Sequence, residues 1–248
     1  MNHSRRGQAV IFNHVNFVSS EHTTRHGSDK DRDDLSDVLR QLGFDVSIHD
    51  DLNANEIFSA LWTVSQMDHS DADCLVIIVM THGDNNKLGA KDRDYPTKTL
   101  WKYFSAHICP SLAGKPKLFF IQACRGQMVH PSHILKHQAI GVVTDAVSDD
   151  DVYYTIPIMA DILVMYSTVD GFASWRDPEN GSWFIQSLIR QLRKYHKTKD
   201  LLTILTYVNR DVAVNCSFSE SSLLPHSECK QMCSIVSMLT RQLYFTHN

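Results

Sequence analysis

Two hydrophobic patterns alternate along the chain, and together they predict an α/β fold. Runs of apolar and β-branched residues, continuous or alternating, are typical of strands. Such runs occupy residues 9–17, 44–50, 74–80, 117–122, 160–168 and the first part of 234–245. Apolar residues that recur every three or four positions are typical of helices that bury one face. They predict a helix from Ser28 or Asp29, as its cap, to Gly43, and helices at 53–67, 97–106, 181–197 and 200–215.

The order of these elements predicts a mainly parallel sheet covered by helices on both faces, because strands and helices alternate. The run CLVIIVM at 74–80 supports this arrangement, since a continuous apolar run fits a strand that is buried on both faces. Residues 126–151, by contrast, show no sustained period. A long irregular loop within a compact domain is more often functional than not.

Composition and charge exclude several classes of function. The 248 residues are 43% hydrophobic and 21% charged, and they suffice for one large α/β domain. The net charge of −4, without a Lys/Arg-rich run, argues against nucleic acid or an anionic membrane as the main partner. No apolar run approaches ~18 residues and the N-terminus lacks a signal-peptide core, so we predict no membrane span and a cytoplasmic location. The six scattered cysteines then predict free thiols.

Four polar loops follow predicted strands at the edge where parallel sheets bind ligands. The loops are HTTRHG (22–27), THGD (81–84), ACRG (123–126) and SWRD (174–177). Because ligands of open α/β sheets bind beyond the carboxyl ends of the strands, we expect these loops to surround one site.

Cys124 and His82 lie in two of these loops and suggest cleavage of a peptide or ester by a thiol. The thiol would attack, and a histidine, whose pKa lies near neutrality, can exchange protons with the thiol and the leaving group. Gly83 can bring a backbone N–H to the oxyanion, and the N–H of Cys124 is a second donor. Each residue alone also fits a structural role, Cys124 as a small buried hydrophobe and His82 as a hydrogen-bonded part of the scaffold.

Two arginines and an amide in the same loops predict a carboxylate pocket. Arg25, Gln122 and Arg176 would bind a carboxylate through bidentate, charge-assisted hydrogen bonds if they converge. Each arginine alone is more simply explained as solvated surface.

The segment QACRG at 122–126 matches the sequence signature of caspases, which also have a histidine upstream. Further segments resemble executioner caspases in the same order along the chain. They are GKPKLFFIQACRG, IPIMADILVMYST, SWRDPENGSWFIQSL, ILTYVNRDVA and IVSMLTRQLYF. The resemblance covers about residues 9–246 and is strongest to executioner caspases with short prodomains.

The resemblance implies a cysteine endopeptidase that cleaves proteins after aspartate, in apoptosis or related proteolytic signalling. Cys124 would be the nucleophile, His82 its partner, and the N–H groups of Gly83 and Cys124 the oxyanion hole. The substrate-binding residues would be Arg25, Gln122 and Arg176 for the aspartate carboxylate, and Ser174, Trp175 and Trp183 for the groove. The carbonyl of Thr23 would orient His82. No metal or cofactor is implied.

The family fold is a three-layer α/β/α sandwich around a six-stranded, mostly parallel sheet. Its last strand lies at the edge through which two pairs of large and small subunits form a homodimer. The implied segments of the single catalytic domain are a very short N-terminal segment (1–8), a large subunit (9–145), part of the intersubunit linker (146–151, within loop 126–151) and a small subunit (152–248).

The resemblance also implies a zymogen that is cut in the linker. Asp145 is the predicted processing site, with Asp149, Asp150 and Asp151 as alternatives. The candidate partners are protein substrates with Asp before the scissile bond, an upstream initiator caspase and inhibitor-of-apoptosis proteins.

Several residues depart from the executioner pattern. Val169-Asp170 replaces the usual Ala-Pro, Phe172-Ala173 replaces two aromatic residues, and Asp177 replaces an asparagine. Ala173 would leave a roomier subsite two residues before the cut. A carboxylate at 177 would repel an acidic residue four before the cut. Arg125 is expected to pair with the linker or with the partner subunit.

Two alternatives stay open at the level of sequence. The unusual loop at 169–177 suggests a catalytically weak caspase homologue that binds and modulates another caspase. The spacing of His130, His133 and His137 suggests a metal site, although fixed ligands are not expected in a flexible linker.

Overall fold

A six-stranded sheet forms the centre of the computed structural model, which describes residues 3–18, 22–84, 86–131, 160–219 and 228–246. Its strands are β1 (Gln8–Asn13), β2 (Asp45–Asp50), β3 (Leu75–Met80), β4 (Lys117–Gln122), β5 (Ile162–Tyr166) and β6 (Ser234–Ser237). Their order is β6-β5-β4-β3-β1-β2. All neighbours are parallel except β5 and β6. The predicted sheet, with the last strand at its edge, is confirmed.

Helices cover both faces of this sheet. One face packs against α1 (Ser28–Gln41), α4 (Trp183–Tyr195) and α5 (Leu201–Asn215), and the other against α2 (Ala54–Ser65) and α3 (Thr99–Lys102). A 3-10 turn at Pro110–Leu112 follows α3. The result is the predicted three-layer α/β/α sandwich.

The strand sequences explain the two helical layers, because successive side chains of a strand point to opposite faces. In β3, Val76 and Ile78 pack with α1, α4 and α5, whereas Ile77 and Val79 pack with α2 and α3. All six residues of β3 are buried. The continuous apolar run at 74–80 therefore reflects burial on both faces.

Short strands lie beyond the carboxyl edge of the main sheet. In the described residues they form three small antiparallel sheets. The first contains Gly83–Asp84, Lys87–Gly89 and Asp94–Pro96; the second Arg176–Asp177 and Gly181–Ser182; and the third His130–Pro131, Phe218–Ser219 and Glu228–Lys230. The sequence pattern predicted none of them, since a strand of two or three residues has no detectable period.

The first strand and the third helix are shorter than predicted. β1 ends at Asn13 rather than at residue 17 because the Asp51 carboxylate accepts the N–H groups of Val15 and Asn16, at 2.6 and 3.0 Å. The helix predicted at 97–106 is confined to Thr99–Lys102 and continues as turns. Aromatic and β-branched residues crowd this segment and have modest helix propensity.

The start of α1 differs from the prediction in a way that supports the site. The N-cap is Gly27, which has a left-handed φ of 83°, and not Ser28 or Asp29. A Cβ at Gly27 would lie 2.6 Å from the carbonyl oxygens of Asp177 and Pro178. The Ser28 hydroxyl donates to Asn13 Oδ1 instead, at 2.6 Å.

Several predictions fall on residues outside the described ranges. They concern the processing site at Asp145, its alternatives at 149–151, and His133 and His137 of the metal-site alternative. In the described part of the chain, no helix is long and apolar enough to span a membrane.

Candidate active site

Seven predicted site residues line one cavity of about 210 Å³ at the carboxyl edge of the sheet. The lining residues are Arg25, Thr81, His82, Gln122, Ala123, Cys124, Ser174, Trp175 and Arg176. Gly83 follows His82 in the chain, and the ring of Trp183 lies 6.1 Å from that of Trp175. The structure therefore brings the predicted residues of four loops together, and it adds Thr81 and Ala123.

Cys124 follows the end of β4 by two residues, and its thiol contacts the backbone of Ser174. The Ser174 N–H donates to Sγ at 3.3 Å, and Sγ lies 3.8 Å from the Ser174 carbonyl oxygen. Ser167 fixes the preceding peptide, because its hydroxyl accepts from Ala123 N at 3.2 Å and donates to Ala123 O at 3.0 Å. Within the described residues, the thiol forms its hydrogen bonds with Ser174 and not with His82, although both line the cavity.

The imidazole of His82 is oriented by a backbone carbonyl. Its Nε2 lies 2.7 Å from Thr23 O, which confirms the predicted contact. Because a carbonyl oxygen only accepts, Nε2 carries the proton and Nδ1 is the free acceptor of the neutral ring. Burial, together with the charges of Arg25, His22 and Arg176, lowers the pKa of His82 to about 4, against the opposing effect of Thr23.

Gly83 lies where the loops of His82 and Cys124 meet. A Cβ at this position would lie 2.8 Å from Cys124 O and 3.0 Å from Ala123 Cβ. The close approach of the two loops therefore requires a residue without a side chain, and it leaves the backbone at 83 accessible beside Cys124.

Arg25 and Arg176 supply two positive charges to the cavity. Arg25 is only 1% exposed, and its Nη1 donates to His14 O and Ser28 Oγ, both at 2.8 Å. Arg176 Nε donates to the His26 carbonyl at 2.7 Å. Burial lowers the pKa of both guanidiniums, and the charge of Arg176 lowers the pKa of Arg25 further. Among the described residues neither arginine forms an ion pair, which favours an anionic ligand here.

Asp31 is a buried carboxylate near both arginines that sequence reasoning missed. Its oxygens accept the Ser182 N–H at 3.0 and 2.8 Å and Gln186 Nε2 at 3.0 Å. Burial raises the pKa of Asp31, against the opposing effects of these hydrogen bonds and Arg25. Its negative charge offsets one of the two positive charges of the arginine pair. The remaining positive charge matches that of one further carboxylate.

Gln122 is 2% exposed, and only one of the two polar atoms of its amide has a described hydrogen-bond partner. Nε2 donates to Ser174 Oγ at 2.9 Å, whereas Oε1 is buried without a partner in the described part of the chain. Amide oxygen and nitrogen are nearly interchangeable in shape. Rotation of the amide by 180° would pair Oε1 with Ser174 and leave Nε2 as a donor without a described partner, in a residue that lines the cavity.

Gln231 is a second residue that sequence reasoning missed. It is 1% exposed, and its Oε1 accepts the Trp175 N–H at 2.7 Å while Nε2 donates to Ser167 O at 2.7 Å. The side chain thus joins the substrate-groove loop to the end of β5. No motif marks this glutamine, because its partners lie more than fifty positions away in the chain.

Arg125 does not line the cavity, and its predicted pairing with the linker or the partner subunit stays a prediction. Its guanidinium lies 4.1 Å from the centre of the Tyr166 ring and 3.1 Å from Asp170 Oδ1. Both partners belong to the same chain and lie at or beyond the end of β5, so within the described residues Arg125 is held by the loop after β5. The ring provides a flat apolar face for the guanidinium, which a sequence pattern does not reveal.

Asp177 is engaged in its own turn. Its Oδ1 accepts the N–H groups of Glu179 and Asn180, both at 2.8 Å. These hydrogen bonds lower the pKa of Asp177, so the carboxylate stays charged at the mouth of the groove.

A larger cavity of about 360 Å³ lies elsewhere, but its polar groups already have partners. Asp73 binds Arg6 at 3.0 Å, and Asp161 accepts from Thr240 N and Oγ1, at 3.1 and 2.7 Å. Lys115 donates to two backbone carbonyls. The smaller cavity, with its thiol and two cations that form no ion pair in the described ranges, is therefore the candidate active site.

Comparisons with known proteins agree with this geometry. The family model for the caspase domain matches residues 6–244. The chain is 44% identical to Caspase-1 of Spodoptera frugiperda over 246 residues, which cover 99% of this chain and 80% of that protein. It is 40% identical to Caspase-3 of Mesocricetus auratus, over 100% of this chain and 86% of that protein.

A solved structure extends the similarity to the fold. The crystal structure of Caspase-1 from Spodoptera frugiperda matches with a TM-score of 0.90 at 43% identity, and the match covers 99% of this chain and 91% of that chain.

Proposed function

The chain belongs to the caspase family and is a cysteine peptidase, and from this premise we propose that it cleaves proteins after aspartate in apoptosis or related proteolytic signalling. One observation carries the proposal. A thiol, an imidazole and two arginines that form no ion pair with a described residue line the same small cavity. A nucleophile beside a site for a carboxylate is the arrangement that cleavage after an acidic residue requires.

Cys124 is the proposed nucleophile and His82 the group that moves its proton. The Cys124 proton passes to His82 Nδ1 while Sγ attacks the carbonyl carbon and forms a tetrahedral intermediate. Because the pKa of His82 is low, its imidazolium is a strong acid and protonates the leaving amine as the C–N bond breaks. Water then hydrolyses the thioester with the same groups. Since the thiol also contacts Ser174, this scheme requires Sγ to exchange that contact for the imidazole when substrate binds.

Backbone N–H groups of Gly83 and Cys124 are the proposed oxyanion hole. Gly83 lies against the loop of Cys124 so closely that a Cβ would contact its carbonyl at 2.8 Å. Donors that are fixed before the reaction stabilise the developing oxyanion without a cost for reorganisation.

Arg25, Arg176 and Gln122 are the proposed binding residues for the substrate aspartate. A guanidinium matches a carboxylate with two parallel N–H groups, and the buried Gln122 amide can add a third donor. Asp31 offsets part of the positive charge of the two arginines, and the carboxylate of a bound substrate would offset the rest. Ser174, Trp175 and Trp183 would line the groove that precedes this pocket.

The proposed functional unit is a homodimer joined through β6. This strand pairs with β5 on one side only in the described structure, and Val236 is 46% exposed. An unpaired edge strand with an exposed apolar residue is a template for a second strand. Val236→Asp should reduce the sedimentation mass toward one subunit pair, and an unchanged mass would reject this interface.

The specificity is tested with matched peptides that end in Asp, Glu or Asn before the cleaved bond. We expect efficient hydrolysis of the Asp peptide only. Replacing Arg176 by Lys should raise KM for it by roughly 10- to 100-fold, because a charge-assisted hydrogen bond contributes about 1.5–3 kcal/mol.

The exposed Arg40 in α1 offers a matched control, since Arg40→Lys makes the same change far from the cavity. Equal rates on the three peptides, or full activity of Cys124→Ala, would contradict the proposal. A protein that hydrolyses no peptide but alters the activity of another caspase would instead be a binding homologue.

A further inference from the structure

His22 stacks on the proposed catalytic histidine and is itself held by a carboxylate. The rings of His22 and His82 are nearly parallel, with an interplanar angle of 14° and centroids 5.1 Å apart. His22 Nε2 also lies 2.8 Å from Asp94 Oδ1. The contacts from Asp94 through His22 to His82 thus form a line that ends at the cavity.

The surroundings hold this line in place. Phe17 packs against both imidazoles, with its ring centre 5.1 Å from each. A Cβ at Gly89 would lie 3.1 Å from His22 Nε2, so the glycine provides room for the ring. The His22 side chain is 19% exposed, which is low for a titratable group in a surface loop.

The same arrangement fixes the orientation of His82. Thr23 follows His22 in the chain, and its carbonyl binds His82 Nε2 at 2.7 Å. Anchoring His22 to Asp94 therefore also anchors the peptide that determines which ring nitrogen of His82 carries the proton.

We propose that Asp94 and His22 are positioning residues that control the protonation and orientation of His82. The inference rests on the proposed function of His82. A protonated His22 places a positive charge against the ring of His82 and opposes its protonation, and Asp94 offsets part of that charge. The other groups that face His82 are Arg25 before α1, Arg176 beyond β5, and the Cys124 thiol beyond β4. His82 thereby stays uncharged and ready to accept the thiol proton in mildly acidic solution.

The test uses four proteins: the wild type, His22→Phe, Asp94→Asn, and the double variant. Phe keeps an aromatic ring on His82 and Phe17 but carries no charge. The pKa of His82 is measured by NMR titration of its ring signals, which are assigned with His82→Asn. This readout does not require peptidase activity, so failure of the inference is distinguishable from failure of the proposed function.

The charges predict an order for the His82 pKa. His22→Phe should have the highest value, because only the negative charge of Asp94 remains. The double variant should follow, then the wild type, and Asp94→Asn should have the lowest value, since the charge of His22 is no longer offset. Two charges about 5 Å apart in a water-like dielectric predict that His22→Phe raises the pKa of His82 by roughly half a unit.

The acidic limb of kcat/KM should move in the same order, and so should the rate at which iodoacetamide alkylates Cys124. If the ring stack were merely structural, the variants would change the melting temperature, and the His82 pKa values would not follow this order. Identical His82 pKa values in the four proteins, or a lower value in His22→Phe than in the wild type, would overturn the inference.

Discussion

At the scale of single residues, the site depends on two histidines that are kept neutral. His14 is fully buried beside Arg25, and its Nε2 lies 3.0 Å from the Leu52 carbonyl oxygen. Burial is the main cause that lowers the pKa of both His14 and His82 to about 4. An unfolded chain would bind protons at both positions near pH 6.5.

The folded state should therefore lose stability as the pH falls from about 6.5 toward 4. In this window the unfolded state binds up to two protons that the folded state does not, so the free energy of unfolding decreases by up to ~1.4 kcal/mol per pH unit and histidine. Urea unfolding at several pH values measures the slope.

A matched variant separates the contribution of His14. Its replacement by Gln keeps an N–H donor for Leu52 O but does not titrate, so the slope between pH 6.5 and 4 should be shallower than in the wild type. If His14→Gln leaves the slope unchanged, the burial of this histidine does not contribute to the loss of stability at acidic pH.

At the scale of elements, the loop after β4 is fastened to the loop after β5. Backbone hydrogen bonds join Arg125 N to Phe172 O at 3.0 Å, Gly171 N to Arg125 O at 2.8 Å, and Ala173 N to Met128 O at 2.8 Å. A Cβ at Gly126 would lie 2.3 Å from Gly171 O, so the two loops touch along their backbones. This contact holds Cys124 against the loop that carries Arg176.

The side chain of Arg125 should contribute to this contact mainly through Tyr166. Asp170 is 68% exposed, and exposed ion pairs contribute about 0–1 kcal/mol. Asp170→Asn should therefore change kcat/KM and the melting temperature little. Arg125→Ala should lower both more, because it also removes the guanidinium from the Tyr166 ring. The comparison fails if Asp170→Asn is as damaging as Arg125→Ala.

Most of the helices and strands were predictable from sequence, and the exceptions have physical causes. Long periodic elements such as α1, α4 and α5 follow from their apolar stripes. The helix at 97–106 was overestimated because Leu100 and Phe104 are spaced like a helical pair, yet consecutive turns bury both equally well. The predicted cap of α1 was wrong because the carbonyls of Asp177 and Pro178, which are distant in sequence, leave no room for a side chain at position 27.

At the scale of the whole molecule, activation is proposed to depend on the linker. The loop with Arg176 and the segment that enters the linker are joined by the backbone contacts described above, and His130–Pro131 pairs with Glu228–Lys230. A cut in the linker would relax the constraint between the large and small subunits.

Asp145→Ala should then give a single-chain protein with low activity. Electrophoresis of the purified variant reports the cut, and hydrolysis of the Asp peptide reports the activity. Asp149→Ala, which removes a carboxylate four residues away, discriminates between candidate sites: it should still be cut if Asp145 is the processing site and should stay uncut if Asp149 is. A variant that stays uncut but is fully active would show that the linker is not the switch.

The site as a whole was predictable only where the residues follow strand ends. His82 and Cys124 lie two residues after β3 and β4, so the topology alone places them at one edge. Asp94, Asp31 and Gln231 carry no comparable signal, and His22 lies in the predicted loop at 22–27 without a motif that singles it out. They reach the site through contacts between segments far apart in the chain, which a single sequence without a fold does not specify.

The most direct test of the account is to identify the residue that an aspartate-based irreversible probe labels. A peptidyl acyloxymethyl ketone ending in Asp, and its matched Asn analogue, are incubated with the processed protein, and the adduct is located by mass spectrometry among the six cysteines. The account predicts a single adduct on Cys124 with the Asp probe, little with the Asn probe, and none in Cys124→Ala. Labelling of another cysteine, or equal labelling by both probes, would contradict it.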